Sequence, residues 1–421
     1  MNKDGHIFAF VELKEYSFLD TKKIVSDQFF IDGLCSRKQD KLVFEFSGVV
    51  IEKDYVIVVF PKGYDVPSDF DVLKKHTINL LATLIRYKQE NDIDQYENNL
   101  LGGTGDNNSI AAAFWILKDY ILNGLINIQK ESYIFNGQGR INWGRTTKQL
   151  NPVVTNGQAV YLDYVTQKRN TDFNNLIYRI HQYAVYQSLN LYGWLFSGID
   201  FDEENVDLII DKDTAIYYLQ KELQQTFVDR EIHLYNNLIE FLKGSIDKEN
   251  RDKVITFLTP HFHTVWEKIC DFVFNGTKKH EFVIPRPFWN IDGQIKYTKQ
   301  VPDTMFISNQ TLFILDAKYY RIKEKLPGWG DLVKQFFYAK TINITDTRNI
   351  LIFPGTNCNG DLIKFLGFAE IENKQVEFGR INGYVVDVHK AMENYSSYNR
   401  GYFQQHLIIL ENNQDDYIVR D

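Results

Sequence analysis

Cysteine, methionine and proline are scarce in this sequence, with three, three and nine copies among 421 residues. Cys35, Cys270 and Cys358 lie far apart and form no C-x-x-C pair. A disulfide-stapled scaffold and a cysteine zinc module are therefore excluded, and a reducing, cytoplasmic setting is expected. A run of about 18 apolar residues, the length needed to cross a bilayer, is also missing. The opening stretch MNKDGHIFAFVELKEYSFLD scatters charges through its apolar positions and lacks the core of a signal peptide, so a soluble protein with no membrane partner is expected. There is no excess of basic charge: 47 Lys and Arg against 55 Asp and Glu leave a net charge of −8. That balance argues against coating nucleic acid by charge alone, though it leaves room for a local basic site. The Gly-rich piece GGTGDNN lacks the Gly-Lys-Ser/Thr of a phosphate loop, so the chain itself is expected to bind no nucleotide. His261-Phe262-His263 has no cysteine or third histidine at zinc spacing, and no nucleophile-elbow motif occurs.

Aromatic residues are plentiful: 31 Phe and 25 Tyr bring the aromatic share to 15 %, and the apolar share is 44 %. That is enough for more than one buried core, and it excludes a disordered chain. The length fits two or three domains. Short alternating runs such as KLVFEFSG and DYVIVVFP, separated by Gly33, Gly48, Pro61 and Gly63, indicate a β-rich N-terminal module over residues 1–100 that ends in a helix from about Phe70 to Gln89. LLGGTGDNN reads as a linker. A mainly helical middle region over 101–250 follows, interrupted by the turn-rich FNGQGRINWGRT, where Trp143 reads as a packing residue. After the polar run GSIDKENRD, residues 251–421 read as α/β. Thr259-Pro260 looks like a helix start, and Phe262, Val265, Trp266, Ile269 and Val273 form an apolar stripe. Strand-like runs then alternate with a helix over about Asp331 to Lys340. The fold class expected is α+β and multidomain, with a central mixed sheet in the C-terminal part.

Chemistry concentrates between Val301 and Tyr320. A two-residue turn at Asn309-Gln310 would set Asp303 opposite Asp316 in a hairpin, and alternation would put Lys318 on the same face as Asp316. Two opposed carboxylates in an apolar hairpin need a positive partner. Lys318 offers one and Mg²⁺ another, with Mn²⁺ as the substitute ion, since hard oxygen donors suit such cations. A site of this kind suits phosphodiester hydrolysis, in which Lys318 orients or deprotonates water or stabilises developing charge. Arg321, Lys323 and Lys325 follow at once and could hold flanking phosphates, as could Tyr338. Glu267, on the helix before the first strand, could reach the metal or its waters. Gln335 and Tyr338 share a helix face and could bond water, lysine or phosphate. The alternatives are a solvent-facing hairpin, an ordinary surface Glu267, and a Tyr338 that packs beside an exposed Gln335.

At these residues the chain resembles the PD-(D/E)XK nuclease superfamily, and more closely the McrC-type subunits of restriction systems, especially the LlaJI family. The resemblance rests on ILDAKYYR (Ile314 to Arg321), NGQGRINWGRT (Asn136 to Thr146), FNNLIYRIHQYAVYQSL, QFFY (Gln335 to Tyr338) and LIFP (Leu351 to Pro354), and it covers about residues 110 to 390. It implies that residues 251–421 are a nuclease domain in which Asp303 and Asp316 are metal ligands and Lys318 is catalytic. The Ala317 carbonyl and Glu267 would complete the ligand set, and Gln335 would assist. It also implies double-stranded DNA as substrate and a McrB-like AAA+ GTPase as the partner that supplies DNA recognition and movement. The GRINWGRT region would dock that partner, and a homodimer could form through the nuclease domain. The competing expectations are a non-catalytic scaffold that activates an AAA+ ring, and a stand-alone nuclease of DNA repair.

Overall fold

The computed structural model describes residues 7–51, 55–101, 110–195, 206–244, 255–277, 285–298, 301–322, 324–342, 346–356 and 360–418. The candidate Lys323, Cys358 and most of GGTGDNN and GSIDKENRD lie outside them. The N-terminal stretch runs β1 (Ile7–Val11), β2 (Glu15–Ser17), α1 (Phe18–Thr21), α2 (Asp27–Ile31), β3 (Cys35–Lys38), β4 (Lys41–Phe44), β5 (Ser47–Ile51), β6 (Val56–Phe60), α3 (Phe70–Glu90) and α4 (Gln95–Leu100). The middle runs α5 (Ile110–Asn123), β7 (Gln129–Phe135), β8 (Arg140–Ile141), α6 (Trp143–Gln149), β9 (Val153–Thr155), β10 (Gln158–Val160), β11 (Val165–Thr171), α7 (Leu176–Tyr192), α8 (Lys212–Leu223) and α9 (Asp229–Gly244). The C-terminal stretch begins with β12 (Ile255–Thr259), α10 (Phe262–Val273), β13 (Phe288–Ile291), β14 (Gln294–Tyr297), β15 (Thr304–Ser308) and β16 (Thr311–Ala317). It continues with α11 (Trp329–Thr341), β17 (Thr347–Gly355), β18 (Ile363–Glu370), α12 (Gln375–Phe378), β19 (Arg380–Asp387), α13 (Val388–Ser396) and α14 (Gln404–Ile418).

The architecture is a mixed α+β one with several sheets. It divides into two compact units, one of Met1–Asn108 with Ile246–Asp421 and one of Ser109–Ser245. The N-terminal and C-terminal stretches are thus a single unit and not two modules. The reason is a non-local strand pair. β12 lies antiparallel on β5 in a four-stranded sheet of order β1-β6-β5-β12. Gly48 of β5, at φ 146°, faces Leu258 so closely that a Cβ would fall 2.4 Å from the Leu258 Cα. Every residue of β5 and β6 is buried, as expected of strands covered on both faces. The apolar stripe of α10 is buried at every position expected, but the helix begins after His261. Thr259 instead ends β12, its hydroxyl accepting the His261 N–H and donating to the Glu97 carboxylate.

The central sheet of this unit has the order β15-β16-β17-β19-β18. β15 and β16 form a hairpin, while β16, β17 and β19 run parallel, with α11 as the crossover between β16 and β17. The hairpin turns at Asn309 and Gln310, both in the left-handed region at φ 48° and 70°. Among the described residues no helix is long and apolar enough to cross a membrane.

The second unit is less helical than its sequence suggested. α5, α7, α8 and α9 carry a three-stranded sheet of order β7-β11-β8 and the β9–β10 hairpin. GRINWGRT spans β8 and the start of α6, whose first turn is capped by Asn142. Trp143 is 56 % exposed, and what packing it has is an edge contact with the Tyr161 ring at 6.2 Å. Arg145 stacks over the Tyr133 ring at 3.7 Å.

Candidate active site

The site grows out of the β15–β16 register. Thr304 pairs with Leu315 and Ser308 with Thr311, so one residue beyond the ladder Asp303 stands opposite Asp316, as the turn predicted. Pairs alternate in type along such a hairpin, and Asp303/Asp316 falls at a position without mutual backbone bonds, where side chains stand closest. Asp303 Oδ2 accepts the Ala317 N–H at 2.9 Å, which ties the end of the hairpin together. Facing Ala317 in the next, hydrogen-bonded position is Pro302, which has no N–H. The ladder therefore supplies no donor to the Ala317 carbonyl.

Alternation sends Leu312, Ile314, Asp316 and Lys318 to the face covered by α11, where Leu312 and Ile314 pack with Met305, Tyr338 and Ile342. The apolar row ends abruptly in charge. Asp316 is 1 % exposed. Its Oδ2 lies 2.6 Å from the Lys318 ammonium and its Oδ1 3.2 Å from that of Lys334. Lys318 reaches on to Asp331 Oδ1 at 2.9 Å, and Asp331 Oδ2 accepts from the Tyr320 hydroxyl and the Gly328 N–H. Burial acts to lower the Lys318 ammonium, but the hydrogen bonds and charges of Asp316 and then Asp331 outweigh it and raise it above its ordinary 10.5. Lys334 is raised in the same way, by Asp316 and by Asp303. Both aspartates also act on the Tyr338 phenol. The Asp316 carboxylate thus lies on the α11 face, with Asp303 beside it at the end of the hairpin. An ammonium held between two carboxylates in this way can orient water or stabilise negative charge.

Several expected partners are placed otherwise. Glu267 sits on α10, which packs against β15 and β16; its charge bears on Tyr87 and, together with those of Asp303 and Asp271, on Cys270. Among the described residues no group of three or more His, Cys, Asp or Glu side chains is near enough to hold an ion, so Glu267 does not join the two aspartates. Gln335 is fully buried, and its amide nitrogen donates to the carbonyls of Ile314 and Ile350 at 3.2 Å each, bridging β16 and β17. Tyr338 is buried, with its hydroxyl 3.4 Å from the Val301 carbonyl, so it is no surface phosphate contact. Arg321 donates to the Glu12 carbonyl at 2.8 Å and to Glu324 at 3.0 Å, which commits it to the fold. Lys325 is exposed. Sequence reasoning missed Asp331 and Lys334. Their i, i+3 spacing on α11 was a signal, but only the crossover brings them to β16.

A hard cation fits this donor set. Asp303 stands across from Asp316, the Ala317 carbonyl has no ladder donor, and the Oδ2 of the buried Asp316 already meets a cation, the Lys318 ammonium.

The second strand of the mixed sheet ends in Asp316-Ala317, with Asp303 across from it and Lys318 just beyond. The chain belongs to the LlaJI restriction endonuclease family, whose model matches residues 46–382. It is 28 % identical over 348 residues to the "Type II restriction enzyme BsuMI component YdjA" of Bacillus subtilis, covering 75 % of this chain and 73 % of that protein. A chain of the solved assembly of Thermococcus gammatolerans McrB AAA+ hexamers with bound McrC aligns at a TM-score of 0.41 and 15 % identity, over 93 % of this chain and 99 % of that one.

Proposed function

We propose that this chain is the Mg²⁺-dependent DNA-cutting subunit of a restriction system and that it works with a McrB-like AAA+ GTPase. The observation that carries the reading is that Asp303 stands across the hairpin end from Asp316, whose carboxylate meets the Lys318 ammonium, in a member of a restriction endonuclease family. Asp303, Asp316 and the Ala317 carbonyl would hold the ion, which when bound polarises a phosphoryl oxygen and acidifies a water. Lys318, kept protonated and aimed by Asp316 and Asp331, stabilises the charge that develops on the phosphoryl oxygens. Lys334, half-exposed beside it, and Lys325 meet the flanking phosphates. Gln335 positions the site by holding β16 to β17.

The partner reading is supported by the relative's description as a component of an enzyme and by the middle unit. That unit exposes Phe135, Trp143, Val154, Leu162 and Phe173, more apolar surface than an element without a partner would carry. A second copy joined through the nuclease domain would cut the second strand.

Purified chain is to be incubated with plasmid and Mg²⁺, with and without the AAA+ protein and GTP. Cutting that needs the partner and is lost in Asp316→Ala and Lys318→Ala is the expected result. GTPase stimulation that survives both substitutions, with no cutting by the wild type, would overturn the catalytic reading in favour of a scaffold. Cutting without any partner would make the chain a stand-alone nuclease.

A further inference from the structure

Among the described residues, strands β13 and β14 pair only with each other, as a hairpin of Phe288 with Tyr297 through Ile291 with Gln294. The hairpin closes on Asp292 and Gly293, both at positive φ, and at its base Thr298 donates to the Pro287 carbonyl. Every residue of both strands is exposed, including Phe288, Trp289, Ile291, Ile295 and Tyr297, each more than half exposed. A lone two-stranded ribbon is at best marginally stable in water, and this one spends five large apolar side chains on solvent. Its composition is that of a surface built for a ligand.

Three observations identify the ligand. Each face pairs an aromatic with a cation: alternation puts Phe288 and Tyr297 on one face, with Arg286 stacked on Tyr297 at 4.7 Å, and Trp289 opposite Lys296 on the other. The acid between Arg286 and Tyr297 is Asp292, in the turn at the tip, so the flanks of the ribbon are cationic in a chain of net charge −8. Finally, Tyr297 precedes Asp303 by only six residues, a span of at most about 22 Å, so the base of the ribbon stands about one duplex diameter or less from the carboxylate site.

We infer that this ribbon is a duplex-DNA contact seated in a groove beside the site of cutting, an inference that rests on the nuclease reading. The major groove admits a two-stranded β-ribbon. A ribbon lying there meets phosphates along both edges, which matches cations on both faces, while its aromatics cover sugar and base edges.

The test uses the full-length chain and a labelled 30-base-pair duplex, with fluorescence anisotropy in the absence of divalent metal so that no cutting occurs. Arg286→Ala/Lys296→Ala should lower affinity at least tenfold and reduce the slope of log K against log salt by about two. Trp289→Ala should lower affinity severalfold with the salt slope unchanged. Both should keep the wild-type Tm, because the ribbon lies outside the core. A benzophenone side chain placed at position 289 should cross-link to the duplex, which reads contact independently of affinity. Unchanged affinity in both variants, no affinity in the wild type, or loss of a protein partner with DNA binding intact would each overturn the inference. Because binding is read without cutting, a chain that binds through the ribbon yet never cleaves sinks the nuclease reading and leaves the ribbon's DNA contact standing.

Discussion

Lys318 and Tyr319 are neighbours in the chain with opposite surroundings. Lys318 turns toward α11 and sits between the carboxylates of Asp316 and Asp331. Tyr319 turns the other way, where its hydroxyl donates to Glu12 at 2.5 Å and accepts the Lys62 N–H, while Ser47 donates to the same Glu12 oxygen at 2.7 Å. The first cluster solves burial by opposing charges. The second solves it by hydrogen bonds around groups pushed toward their neutral forms: burial raises both the Glu12 carboxyl and the Tyr319 phenol. Charge kept beside a reacting phosphate is useful in chemistry, whereas a network of hydroxyls and a buried acid is useful in holding the N-terminal strands to the segment that follows β16.

That contrast can be broken most sharply at Lys318. Lys318→Met should reduce plasmid cutting by roughly a hundred- to a thousandfold, the usual effect of removing one preorganised donor. Tyr319→Phe should cost about 1–3 kcal/mol of stability by leaving the buried Glu12 oxygen short of a donor, measured by urea unfolding, with cutting retained at permissive temperature. A collapse of cutting without loss of stability would mean that the network belongs to the chemistry. Lys334→Met should change stability by less than about 1 kcal/mol, because its half-exposed ion pair is screened by water. If it abolished cutting as fully as Lys318→Met, the two lysines would have to exchange roles.

The smallest effect expected is on pH dependence, where the clusters oppose each other on the acid side. With Glu12 raised by burial above its ordinary 4.5, folding takes up a proton there, so stability falls as pH rises from 4.5 through the raised value. For Asp331, burial acts to raise the carboxyl, but the hydrogen bond and charge of Lys318 hold it below its ordinary 3.8. Its contribution is present above 3.8 and disappears as pH falls through the lowered value. Glu12→Gln should flatten the first slope and Asp331→Asn the second, in unfolding curves recorded from about pH 3 to 7. The opposite pattern would show that the two clusters have been misassigned.

The residues that were legible in advance are those whose placement depends on local rules. Asn309-Gln310 set a two-residue turn, the turn set the register, and the register set Asp303 across from Asp316. The α10 stripe was readable for the same reason, as a period within one helix. Gln335 shows where such rules stop: a step of one residue on α11 separates Lys334, at the mouth of the site, from Gln335, buried against the sheet. Helical spacing alone does not say which of the two faces the strand. Trp143 and Glu267 take their surroundings from other segments of the chain, which no local pattern records.

By itself the amino-acid sequence determined the hairpin, its register and the charge carried at the end of β16, because alternation and turn geometry act over a few residues. It also determined that Pro302 could give no ladder bond to the Ala317 carbonyl. Only the tertiary structure decided that Asp331 and Lys334 complete the charge cluster, that Gln335 bridges β16 and β17, and that β12 closes onto β5 to make one unit of the two ends of the chain. Those outcomes depend on contacts between residues far apart in sequence, whose formation is governed by packing of whole elements and leaves no local pattern to read.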